Sequence, residues 1–361
     1  MGPLIGDWLA GVRELAVLDQ GLLALAWAVA LLLAVSLGFA AVALLLRLHN
    51  FKLERRQQDL VAAWEPPMLD VLAGAAPDEA LLGRVGAADP ELFVSFLHGY
   101  ARRLQGEERA TVKRLARPYL QEFAKRVGRG SAGRRGHAVQ VLAELGMPEH
   151  ADAVASALDD RSDIVAMIAA RGLFRRGYEE SFPLVLAHLP RFTLWSRSFL
   201  SSMLARGGHG TAPHLRATLA DSAASPLVRA VAADALLLLN DLESASIAAG
   251  ILEAGAQKDR ELVAACVRLL RHLGHEGHVR LLRPLVIAAD PVIRAAAVGA
   301  LGAIGGPREV PLLQDVIDDV AYWVSLEAAR GLMKLGAAHT LERLASSHGP
   351  WAVLARQVLS E

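Results

Sequence analysis

The sequence predicts an all-helical protein in which short helical hairpins stack into a right-handed α-solenoid, on three observations. Gly or Asn recurs at a near-constant interval: Gly146, Gly177, Gly207, Asn240, Gly274, Gly305 and Gly336 lie 30 to 34 residues apart. The stretches between them are rich in Ala and Leu at helical spacing, and runs of Val, Ile or Thr that would read as strands are few. Small side chains also cluster where neighbouring helices must approach closely, at 295–297 and 232–235. A hairpin of about thirty residues cannot bury its apolar face alone, so such units are expected to stack on a continuous core.

Taken in order, the first twenty residues carry Ile5, Trp8, Leu9, Val12 and Ala16 at helical spacing, opposite Asp7, Gly11 and Glu14. That pattern suggests a short amphipathic helix. Residues 21–46 contain no charged residue. As a helix they would extend about 39 Å against a hydrocarbon core of roughly 30 Å, so a transmembrane helix is expected there. Asp7, Glu14 and Asp19 against Arg13 argue against a cleaved signal peptide, which needs a basic start and a shorter apolar core. Arg47, Lys52, Arg55 and Arg56 follow the span. The positive-inside rule then expects a single-pass protein of the bacterial inner (plasma) membrane, with the N-terminus outside, residues 21–46 in the lipid bilayer and the C-terminal domain cytoplasmic.

Residues 47–66 read as a cytoplasmic helical stem, broken at Trp64-Glu65-Pro66-Pro67 because proline lacks the backbone N–H and restricts its predecessor. Residues 67–130 read as degenerate helical repeats forming an N-terminal cap. Leu92, Phe93, Phe96, Leu97, Tyr100 and Leu104 make one helical face there, and Val112, Leu115, Tyr119, Leu120, Phe123 and Val127 a second. From 131 to 361 each repeat reads as a four-turn helix ended by its Gly or Asn, which tolerate the left-handed cap conformation, and then a shorter second helix. The second helices are expected at 151–158, 183–189, 213–219, 244–252, 279–287 and 310–317. Polar turns such as 159–163 and Asp221-Ser222 supply N-caps. Trp351, Leu354, Val358 and Leu359 predict a closing helix.

The segments DPVIRAAAVGALGAIG (290–305) and SPLVRAVAADALLLLN (225–240) resemble the HEAT repeat in its short bacterial, phycobilin-lyase-like form. The resemblance implies a solenoid and leaves activity open, since fold does not imply function. Deoxyhypusine hydroxylases, also built from HEAT repeats, bind iron through several His-Glu pairs; this chain has one such pair, His275-Glu276. Neither a phosphate-loop nor a dinucleotide fingerprint is present.

The formal net charge is zero, with 38 basic and 38 acidic residues. Its distribution is uneven. Residues 102–135 hold eleven basic against three acidic residues, and from 136 onward acidic residues exceed basic ones by three. Arg102, Arg103, Arg109, Lys113, Arg114, Arg117, Lys125 and Arg126 are therefore candidates for an anionic surface. A neutral chain without an aromatic-basic platform excludes nucleic acid as the expected partner. The one cysteine, Cys266, sits in an Ala-Ala-Cys-Val run and reads as a packing residue. His272, His275 and His278 fall at a helix end and in a turn, so no metal or other cofactor is expected. The expected function is a scaffold or adaptor binding a membrane-associated protein partner, with a component of an envelope or polysaccharide-synthesis complex as one form of it, and not an enzyme. Arg216, Arg280, Arg283 and Arg308, on or beside the second helices, are candidate contacts in a concave groove. The alternative is a lyase or modifying enzyme like the phycobilin lyases.

Overall fold

The structure, a computed structural model, describes residues 3–85, 89–146, 148–174, 179–255 and 259–361; for 3–26, 28–30, 46, 48–50, 52 and 53 it describes the backbone alone. Every regular element among these residues is helical. The chain divides into two units, residues 1–99 with 106–111, and residues 100–105 with 112–361.

In the first unit α1 is one helix, Pro3–Leu72, followed by α2 (Asp78–Leu82) and α3 (Pro90–Ala101). The expected break at Pro66-Pro67 does not occur, and the helix carries both prolines inside it. Packing explains the continuation. Trp64 and Met68, which flank the two prolines, are completely buried, and the Trp64 indole meets Phe93 edge-on at 5.2 Å and Phe96 at 5.8 Å. Trp64 Nε1 also donates to the Arg84 carbonyl, at 3.5 Å. Burying an aromatic cluster of this size offsets the two backbone hydrogen bonds the prolines remove.

The transmembrane expectation for 21–46, and with it the inner-membrane localisation and the bilayer partner, needs correction. Among the described residues no helix is long and apolar enough to cross a membrane. A crossing needs about 20 consecutive apolar residues, and the continuous run with described side chains there is 31–45. The remainder of the span, apart from Trp27, and the amphipathic face expected over 1–20 lie outside the residues whose side chains are described.

The second unit begins within α4 (Gly106–Arg126), whose Val112, Leu115, Leu120 and Phe123 are buried as its sequence pattern predicts. Seven hairpins follow among the described residues. Their first helices are α5 (Ala132–Leu145), α7 (Asp163–Leu173), α9 (Arg197–Ala205), α11 (Pro226–Leu238), α13 (Arg260–Leu273), α15 (Pro291–Ile304) and α17 (Tyr322–Lys334). Their second helices are α6 (Ala151–Ser156), α8 (Phe182–His188), α10 (Ala212–Ala220), α12 (Ser244–Glu253), α14 (Val279–Leu282), α16 (Val310–Asp315) and α18 (Ala338–Ala345). Helix α19 (Ala352–Leu359) closes the stack with Leu354 and Val358 buried. Among the first helices α5 packs on α7, and α9 through α17 pack successively; α7 and α9 share no comparable packing.

Capping follows the sequence at several starts. Ser131, Ser196, Ser225 and Asp290 each accept a backbone N–H of the first turn. The periodic glycines act in two ways, only one of which was expected. Asn240 (φ 55°) and Gly336 (φ 76°) are left-handed. Gly274 and Gly305 are extended instead, and a Cβ there would press on the carbonyl oxygens of Leu270 and Leu301. Lack of a side chain, not left-handed freedom, selects glycine at those two ends. Gly177 lies outside the described residues.

Successive repeats are joined by arginine bridges. Arg135 reaches Asp160 with two bonds, of 2.6 and 2.8 Å. Five repeats later, Arg294 grips Asp319 with two bonds of 2.8 Å and donates to the carbonyls of Ala288 and Ala289. Each aspartate also accepts the backbone N–H two residues on, from Ser162 and Ala321 respectively. The guanidinium contact, which outweighs burial, holds both carboxyls below their ordinary range and both arginines above theirs.

Cys266 is completely buried in α13. Burial pushes its thiol up to about 12, with Arg229 and Arg268 pulling weakly the other way. A thiolate-selective reagent is therefore expected to leave the native protein unlabelled at neutral pH and to label one site per chain after denaturation. Stoichiometric labelling of the native protein would contradict this placement.

Candidate groove on the first helices

A wide recess in the second unit lies on the first helices, whereas the sequence placed the candidate groove on the second helices. It has a volume of about 950 Å³ and crosses α9, α11 and α13. Asp234, halfway along α11, organises it. Its two carboxylate oxygens take Arg197 Nε from α9 at 2.8 Å and Arg268 Nη2 from α13 at 2.7 Å. One carboxylate thus ties three consecutive repeats, and the side chains remain between 16% and 33% exposed. Glu261 approaches Arg197 at 3.9 Å, and Arg260 pairs with Asp290 at 2.8 Å.

The α9 wall is hydroxyl-rich, with Thr193, Ser196, Ser198, Ser201 and Ser202, while Leu237 and Leu238 of α11 and Val292 add apolar lining. Leu238 is 58% exposed. Trp195 stands at one end, held edge-on to the buried Phe192 ring at 5.7 Å. Three helices at 8–10 Å spacing make a trough roughly 20 Å across, the length of about six extended residues. Alternating fixed charges, hydroxyls and exposed leucine suit recognition of a polypeptide.

The four arginines predicted as groove contacts are mostly tied into the second-helix layer. Arg216 bridges to Asp241 at 3.0 Å and Glu243 at 2.6 Å, Arg280 to Glu253 at 2.6 Å, and Arg283 holds Glu309 with two bonds of 2.9 and 2.7 Å. Arg308 makes no ion pair among the described residues. In the predicted basic patch, Arg117 pairs with Glu149 and Lys125 with Glu122, and Arg126 lies over the Phe123 ring at 5.6 Å. Arg109, Lys113 and Arg114 also hold interactions; Arg102 and Arg103 are exposed.

The histidines form a local cap. His275 Nδ1 accepts from the Gly277 N–H, and His278 Nδ1 accepts from the His275 N–H, with the rings 4.0 Å apart. Both Nδ1 lone pairs are thus occupied, which assigns the remaining proton of each neutral ring to Nε2. Burial, then the charges of His275 and Arg280, lowers the His278 pKa. Among the described residues no three His, Cys, Asp or Glu side chains gather as metal ligands.

The Asp234 groove was missed because Asp234 sits inside the apolar run AVAADALLLL. A lone carboxylate on an otherwise apolar helix, and the hydroxyl run 196–202, were the available signals.

Residues 248–333, from α12 to near the end of α17, match the family model for HEAT repeats. Solved structures resemble a larger part at low identity. The CpcE–CpcF complex of phycocyanin lyase from Nostoc sp. PCC7120 aligns at 18% identity over 66% of this chain and 86% of that one, with a TM-score of 0.33. Human deoxyhypusine hydroxylase in complex with glycerol aligns at 16% identity over 77% and 98%, with a TM-score of 0.31. The karyopherin Kap121p, bound to the extreme C-terminus of the protein phosphatase Cdc14p, aligns at 12% over 78% of this chain, which spans only 42% of that protein, with a TM-score of 0.38. Likenesses this distant say nothing about chemistry. No curated protein sequence matches the chain.

Proposed function

We propose that this chain is a protein-binding scaffold whose contact surface is the groove across α9, α11 and α13. The observation that carries the reading is the Asp234 bridge. It holds Arg197 and Arg268 in place across three repeats beside exposed Leu238, so the surface is rigid and presents charge and apolar area together. A preformed surface of this kind loses little conformational entropy when a partner binds.

The test is affinity purification of the tagged full chain beside its Leu238→Glu variant, with melting temperatures compared. Leu238 is exposed, so the fold is expected to tolerate the change. A protein that co-purifies stoichiometrically with the wild type is expected to be reduced at least about tenfold with the variant, the usual range for a central contact. Equal recovery with both would overturn the assignment of the groove. A stoichiometric small molecule in place of any protein would overturn the scaffold reading in favour of a modifying enzyme.

A further inference from the structure

A second recess of about 170 Å³ opens among α5, α7 and the end of α9. Three guanidinium groups line it: Arg102, Arg171 near the end of α7, and Arg206 at the end of α9. Gln140 of α5 adds an amide, and Glu144 is the one carboxylate in the lining. Its floor is tight, because α5 and α7 touch there through Ala143 and Gly172, where an added Cβ would come within 2.5 Å of the Ala143 methyl. Arginines of this unit mostly bridge to a carboxylate or carbonyl of a neighbouring repeat, as Arg135, Arg191, Arg216, Arg229 and Arg294 do. Arg102, Arg171 and Arg206 make no ion pair among the described residues, and all three are exposed. Three exposed cations against one carboxylate leave an excess of positive charge whose mutual repulsion an added anion relieves.

We propose that this recess binds a phosphoryl group carried by the polypeptide that lies in the α9–α13 groove. Charge favours phosphate over carboxylate. Counting Glu144, the lining carries a formal +2, which a phosphate monoester dianion neutralises and a single carboxylate does not. Guanidinium forks suit the three phosphoryl oxygens, each able to take a bidentate or bridging bond. Position favours a peptide carrier. Ser198 and Ser202 face the groove and Arg206 faces the recess; their spacing of four residues puts all three on one face of α9 and its C-terminal end. Only about 6 Å of helix axis separates Ser202 from Arg206, so one extended segment reaches both. The carrier assignment rests on the scaffold reading; the anion site does not.

Titration calorimetry on the full chain tests the two parts separately. Inorganic phosphate, titrated at constant ionic strength against chloride, is expected to bind at pH 8 and to weaken as the pH falls through about 7, where its dianion gains a proton; a phosphoserine monoester should weaken about one pH unit lower. The Arg171→Ala/Arg206→Ala variant is expected to keep its melting temperature and to lose at least about tenfold in phosphate affinity. Equal phosphate binding by wild type and variant, or no binding by the wild type, would overturn the site. A short phosphoserine peptide should bind more tightly than its serine counterpart. Sedimentation with phosphatidylcholine vesicles containing phosphatidic acid, in the absence of phosphopeptide binding, would overturn the polypeptide carrier. Neither result touches the Leu238→Glu test of the groove.

Discussion

Asp319→Ala is expected to lower the unfolding free energy by on the order of 3 kcal/mol, read as a shift in the urea midpoint, because it breaks a largely buried ion pair from one side. Asp319 is 12% exposed and Arg294 18%. Removing the carboxylate strands a guanidinium between α15 and α17 that keeps only the Ala288 and Ala289 carbonyls, and it also deletes the bond that fixes Ala321 at the start of α17. Arg294→Ala should cost less, since the aspartate left behind still accepts the Ala321 N–H. The double variant should fall short of the sum of the two, which a double-mutant cycle reads directly. Additive losses would show that the pair does not couple the repeats.

The same pair sets a pH dependence with a definite sign. Asp160 and Asp319 titrate below their ordinary value of 3.8 in the folded chain. The unfolded chain therefore binds protons first as the pH falls. The stability these groups contribute is present in full above their unfolded value, declines below it, and is gone once the pH has passed through the folded values. An acid-unfolding midpoint that moves to higher pH in Asp319→Ala, measured beside wild type, is the expected signature.

Helical class, repeat length and second-helix positions could be read from the sequence because they depend on local periodicity and on breakers. The expected second helix at 213–219 is α10, Ala212–Ala220, and that at 244–252 is α12, Ser244–Glu253. Asn240 in its left-handed cap was legible for the same local reason. What failed depended on distant residues. Pro66 and Pro67 forecast a break, yet Phe93 and Phe96, some thirty residues on, hold Trp64 and keep the helix going. The bridges of Arg216, Arg280 and Arg283 were not legible either, because their partners, 25 to 27 residues away, belong to adjacent hairpins. The candidate site was illegible for a related reason. Arg197, Asp234 and Arg268 are separated by 37 and 34 residues, and only stacking at the repeat spacing brings them together.

Gly302→Ala is expected to destabilise the protein by roughly 2 kcal/mol or more, against the trend for glycine inside a helix. Alanine in place of glycine ordinarily favours a helix by about 1 kcal/mol. At Gly302 in α15 that gain is outweighed, because the new Cβ would sit 2.5 Å from the Cα of Gly331 on α17. The obstacle is backbone, so no rotamer change relieves it and the two helices must separate. Separation propagates: Arg271 of α13 crosses above Gly299 to reach Glu327 of α17 at 2.8 Å, a bridge that depends on α15 presenting no side chain beneath it. Gly250→Ala is the control. It lies exposed in α12 with nothing within 4 Å of an added Cβ, so it should stabilise by up to about 1 kcal/mol. If both substitutions stabilise equally in chemical denaturation, α15 and α17 do not cross backbone to backbone, and the close stacking that positions the α13 wall of the groove would have to be revised.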